Sequence, residues 1–200
     1  MLNDLWGATD PKRWTAALAT YSAVVQRQGV EALPKLDRWV RDALPRALDG
    51  RRGSHVTLEE LVQTTRWKMA RGVWRARTLA LVQGNDPAEV IEASRAALAS
   101  IPDPRAPIAG LATRAGVGPA TASAIAAAAD PERYPFFDEL VANQVPELGA
   151  VAFTLPYYLR YADALRERAK QLGGRWTPVL VERALWAHSG GKAGLKGTSS

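Results

Sequence analysis

The sequence predicts an all-α protein. Apolar residues recur at three- and four-residue intervals almost throughout, and the alternating β-branched runs expected of strands are missing. Helix-start signals also precede several of the apolar stretches. Asp10-Pro11 opens the first, over residues 11–27, with an acceptor at the cap and a proline at the first helical position. A second pattern covers 31–48. Thr57 followed by Glu60 has capping-box spacing ahead of a helix over 57–71, and a further segment spans 74–83. Asp86-Pro87 with Glu89 opens 87–99 in the same way. Further patterns cover 107–114, 119–129, 138–145, 155–171 and 177–187.

The polar, glycine-flanked stretch Gly50 to His55 reads as the join between an N-terminal helical pair, residues 1–50, and a main body over 51–188. A chain of 200 residues accommodates one domain or two lobes sharing a cleft. Residues 189–200 are mostly Gly, Lys and Ser with little to bury, and are expected to form a disordered tail.

Composition narrows the chemistry. The chain has no cysteine, which excludes disulfides, thiolate nucleophiles, thiolate-bound zinc and a cysteine-held iron–sulfur cluster. His55 and His188 are too few and too far apart in sequence to suggest an imidazole metal site, and no cofactor is expected. The start of the chain lacks the pattern of a signal peptide, and no window supplies the ~18 apolar residues of a membrane span, so a cytoplasmic protein is expected. With 26 basic against 20 acidic side chains the formal charge is +6, which favours a polyanionic partner.

The chemistry-bearing segment begins at Leu111. Two helical patterns meet at Ala115-Gly116-Val117-Gly118-Pro119, a tight turn whose glycines leave backbone bare to an approaching phosphate. Pro119 starts the next helix, whose free amides and positive dipole end face the same place. Such a turn grips a DNA backbone without reading bases. An alanine-rich helix follows, then a break at Asp130-Pro131, then Tyr134-Pro135-Phe136-Phe137-Asp138, with nineteen residues between Gly118 and Asp138.

Over residues 107–145 this pattern resembles the helix-hairpin-helix DNA glycosylases related to endonuclease III and the adenine glycosylase. The resemblance implies a two-lobed helical fold, a hairpin that holds double-stranded DNA through Ala115, Gly116, Val117, Gly118 and Thr121, and Asp138 as the catalytic carboxylate. Bifunctional members carry a lysine two residues after the second glycine, where this chain has Ala120. Without that amine the resemblance implies a monofunctional enzyme with no β-lyase step. The cysteine cluster of several relatives is also absent. Leu61 to Thr65 is vaguely similar to the segment that delivers a glutamine into DNA in relatives, but the interval to the hairpin is short and that role is not assigned.

Between Arg51 and Arg77 seven basic side chains stand against two acidic ones, with Trp67 and Trp74 among them. Trp67, Lys68, Arg71 and Trp74, together with Phe137, are candidates for a base pocket or basic cleft, since a ring beside a cation suits an extruded base next to a phosphate. The same pattern also describes an amphipathic helix with core tryptophans and solvated arginines, and the tyrosines of 155–171 read as core. Lys68 is a candidate partner for Asp138. The expected function is therefore a monofunctional DNA N-glycosylase acting on a flipped base, with two alternatives: a non-catalytic DNA- or protein-binding relative, and a plain helical interaction module whose glycines only turn the chain.

Overall fold

The computed structural model describes residues 4–196, and among them every regular element is helical. Asp10 caps α1 (Pro11–Ala19) by accepting from the Lys12 amide at 2.9 Å. The expected continuous helix over 11–27 is interrupted. At Thr20 the amide turns back to Ala17 O at 3.1 Å and the hydroxyl donates to the same oxygen at 2.8 Å, which closes α1 before α2 (Tyr21–Arg27) begins. The 31–48 segment also departs from regularity: α3 (Leu33–Arg38) passes through a π turn at Trp39–Ala43 into α4 (Leu44–Asp49). Pro45 has no amide to continue the ladder, and the wider turn accommodates the missing bond.

The polar join at 50–55 is pinned. Arg51 pairs with Glu60 at 2.6 Å and donates to His55 O at 2.8 Å, while Thr57 and Glu60 form the expected capping box at the start of α5 (Leu58–Arg71). Gly72 ends that helix. There follow α6 (Ala76–Gln83), α7 (Pro87–Ala99), α8 (Ala106–Leu111), α9 (Pro119–Ala129) and the single turn α10 (Glu139–Ala142). A 3-10 turn at Pro146–Leu148 leads to α11 (Leu155–Leu172) and α12 (Pro178–His188). Gly191–Lys196 form α13, so residues 191–196 of the expected tail are ordered as a helix; residues 197–200 lie outside those described.

One buried apolar cluster runs from Leu5 to Ala187. The N-terminal helices contribute to it directly. Trp14 is fully buried against Trp176 and donates its indole N–H to Ala8 O at 2.8 Å, and Tyr21 packs on Trp186. Helix α5 contacts α3, α6 and α9, and α12 lies against α1 and α11. The seven buried side chains of Ala120 to Ala126 include only one large apolar group, Ile125, so α9 can sit close to its neighbours. Among the described residues no helix is long and apolar enough to cross a membrane.

Candidate functional site

The glycine turn between α8 and α9 is held from behind by an asparagine. Asn85 Nδ2 donates to Ala115 O at 2.9 Å and its Oδ1 accepts from Ala115 N at 3.0 Å, so both backbone groups of Ala115 are engaged within the protein. Gly116 has φ +74°, and a Cβ there would lie 2.8 Å from both Thr78 O and Val82 Cγ2. Its glycine character thus lets the turn seat against α6. A Cβ on Gly118 would meet nothing within 4 Å. The two positions therefore separate by experiment: Gly116→Ala is expected to cost about 1–3 kcal/mol in urea unfolding, and Gly118→Ala less than about 1 kcal/mol.

Gly118 caps α9 without a side chain, and the first amides of α9 have no acceptor within the helix. The side chains of Val117 and Thr121, expected at the backbone grip, are buried instead. The Thr121 hydroxyl has no hydrogen-bond partner among the described residues. Small residues along α9 draw that face of the helix into the core, and the turn borders the neighbouring cavity through Gly116 and Gly118.

Asp138 sits at the N-cap of α10. Its Oδ1 accepts from the Leu140 amide at 2.8 Å, and its Oδ2 lies 3.2 Å from Arg71 Nη2. Asp138 is 9% exposed and lines a cavity of about 530 Å³. Gly116, Gly118 and Ala120 line one part of the cavity, Lys68 and Arg71 another, and Phe137 and Asp138 a third. The turn and the acid, separated by nineteen residues in sequence, share a single opening.

The partner of Asp138 is Arg71, rather than Lys68. The guanidinium, fully enclosed, contacts Glu182 of α12 as well as Asp138, and approaches the Tyr21 hydroxyl at 3.4 Å. It lies 4.4 Å from the Trp186 ring centroid, 5.0 Å from Phe136 and 5.3 Å from Trp67. Burial works against its charge, but Glu182, Tyr21 and Asp138 outweigh that cost and hold its pKa above the ordinary arginine value. Burial also pushes the Glu182 carboxyl up to about 7, against the pull of Arg71.

Other candidates separate. Trp67 is buried, donates Nε1–H to Asp37 at 3.1 Å and lines a different cavity of about 640 Å³ that Arg71 also borders, so its ring is unavailable for stacking on a base in the Asp138 cleft. Trp74 is 58% exposed but does not line the cleft. Phe137 lines it while packing against Phe153, Tyr157 and Tyr161. Asn85 and Glu182 are missed by sequence reading. Nothing in the sequence marks Asn85 as a clamp. Glu182 did carry a signal, as a lone acid inside the apolar run Val179 to Trp186.

No protein-family model matches the chain, and no match was found among curated proteins or solved structures. Among the described residues no group of three or more His, Cys, Asp or Glu side chains is placed to hold a metal ion.

Proposed function

We propose that the chain is a DNA-binding N-glycosylase of the helix-hairpin-helix type, with α8, the glycine turn and α9 as the hairpin and Asp138 as the catalytic carboxylate. The carrying observation is the cavity shared by Gly116, Gly118 and Asp138. A phosphate against the bare turn and the α9 amides places the adjoining nucleotide at the mouth of that cavity. Val73, Trp74, Leu81 and Phe153 are large apolar side chains left exposed, and Val73 and Phe153 line the cleft. They offer surface to unstacked bases, while Arg75 adds a cation.

In this mechanism a base swung from the duplex enters the cleft above Phe137. As the N-glycosidic bond lengthens, positive charge develops on the sugar, and the Asp138 carboxylate stabilises it or orients the attacking water. The Leu140 amide and Arg71 hold the carboxylate in one orientation, which removes the need to reorganise it during reaction. Arg71 also neutralises part of its charge. That contact favours a second reading, a DNA-binding relative without glycosylase activity.

The two readings part in one assay. Purified protein incubated with lesion-containing duplexes is expected to release free base, and its duplex affinity to fall steeply as salt rises. Salt-dependent binding without base release over a broad lesion panel supports the non-catalytic reading. No duplex binding at low salt overturns both.

A further inference from the structure

The cavity of about 640 Å³ that holds Trp67 is bordered by α4, the second half of α9 and the first turns of α12. Arg71 and Phe136 line it as well as the Asp138 cleft, but the glycine turn and Asp138 do not. Its size falls in the range of small-molecule sites. Ala124, Ala127, Ala128 and Ala129 supply one wall, on which no side chain is longer than a methyl group, and Val40, Val179 and Leu180 add apolar surface. The same cavity carries five arginines, Arg41, Arg46, Arg71, Arg175 and Arg183, against three acids, Asp49, Glu132 and Glu182. Glu182, the buried acid, is taken by Arg71, and Asp49 and Glu132 are exposed. The arginines have more donors than the protein uses. Arg183, partly buried on α12, makes no hydrogen bond or ion pair among the described residues, and its guanidinium lies 6.0 Å from the Tyr21 ring centroid. The side chains of Arg46 and Arg175 make none either, Arg41 gives only its Nε to Asp37, and the buried Arg71 Nε has no partner among the described residues. Burial pulls the Arg183 pKa below the ordinary arginine value, against Tyr21 and Glu182, yet the group stays charged at neutral pH. A partly desolvated cation gains more from an anion than a solvated one does.

We propose that this second cavity binds a small organic oxyanion, a carboxylate or phosphate carried on a flat apolar body, with Arg183 holding the head group and the α9 alanines the body. Unused guanidinium donors call for a ligand rich in acceptors, and the guanidinium fork matches an oxyanion in two parallel hydrogen bonds. A bare inorganic ion would leave the alanine wall uncovered, whereas a ring or short hydrocarbon lies closely against side chains that small. Arg46 and Arg175, exposed at the rim, add an attraction that salt weakens. The inference is independent of the DNA-binding reading.

The test titrates the full chain with two fluorescent probes: 8-anilinonaphthalene-1-sulfonate, an organic anion, and N-phenyl-1-naphthylamine, which has the same rings without the sulfonate. One equivalent of the sulfonate is expected to bind at least about tenfold more tightly than the neutral probe. Arg183→Met should weaken the sulfonate at least about fivefold and leave the neutral probe within about twofold. Arg175 is exposed, so Arg175→Met leaves folding intact and should weaken the sulfonate alone by about two- to fivefold. Ala127→Phe, which fills the cavity, should abolish binding of both probes, and Phe153→Ala, in the Asp138 cleft, should change neither. Displacement by 2-naphthoate and by 2-naphthyl phosphate distinguishes a carboxylate from a phosphate head group, and inorganic phosphate should compete at least about 100-fold less well than the better of them. Equal affinity for the two probes, retention of the sulfonate in Ala127→Phe, its loss in Phe153→Ala, or displacement by neither naphthyl acid overturns the inference and leaves the DNA-binding reading untouched. A loss of duplex affinity on Arg183→Met as large as its loss of sulfonate affinity would assign this arginine to nucleic acid and overturn the inference as well.

Discussion

Arg71→Met is expected to lower the free energy of unfolding by about 3–5 kcal/mol, because it leaves the buried Asp138 and Glu182 carboxylates without their shared cation. Methionine fills much of the space among Trp67, Phe136 and Trp186, so loss of packing is the smaller part of the cost. A double variant separates the two contributions. Adding Glu182→Gln to Arg71→Met removes a buried acid that without Arg71 must stay unpaired or take up a proton, and should restore part of the lost stability, whereas Glu182→Gln alone should destabilise. Urea unfolding measures both. A loss below about 1 kcal/mol for Arg71→Met would mean that the cluster is solvated and is not a structural anchor.

Asp138→Asn is expected to reduce base release by about 100- to 1000-fold. Asparagine retains an oxygen able to accept from the Leu140 amide, so the cap of α10 should survive. The contact with Arg71 is weakened, but Glu182 still faces that guanidinium. The stability cost should therefore be about 1–2 kcal/mol, small enough for duplex binding to be compared in folded protein. Loss of base release with binding retained places the carboxylate in the chemical step. Equal release rates for the parent and the variant would remove Asp138 from the mechanism.

Much of the helical framework was legible from local signals. Asp10, Thr57 and Asp86 cap helices as their spacing suggests, and Pro119 begins the helix after the glycine turn. The departures have local causes as well: Thr20 closes a helix through Ala17 O, and Pro45 cannot continue an amide ladder. Residues 191–196 are helical where composition predicts a disordered tail, because the contacts that hold the segment are remote in sequence. Lys192 reaches Gly72 O, and the Ala193 amide donates to Gln28 Oε1 at 2.9 Å.

The site was legible as a set of residues more than as an arrangement. Glycine in the turn follows from its bare backbone, yet only the fold separates the two glycines, Gly116 pressed against α6 and Gly118 opening on space. Trp67 and Lys68 are adjacent in the chain, but consecutive residues on a helix point about 100° apart, so one enters the core against Asp37 and the other the cleft. By itself the sequence determined an all-helical chain, its capped starts, a glycine turn and an aspartate at a helix entrance, since these depend on residues a few positions apart. Tertiary structure alone decided that Arg71, rather than Lys68, joins Asp138 to Glu182, because that choice depends on which side chains meet in a dry interior after distant helices pack, where one cation can serve two acids.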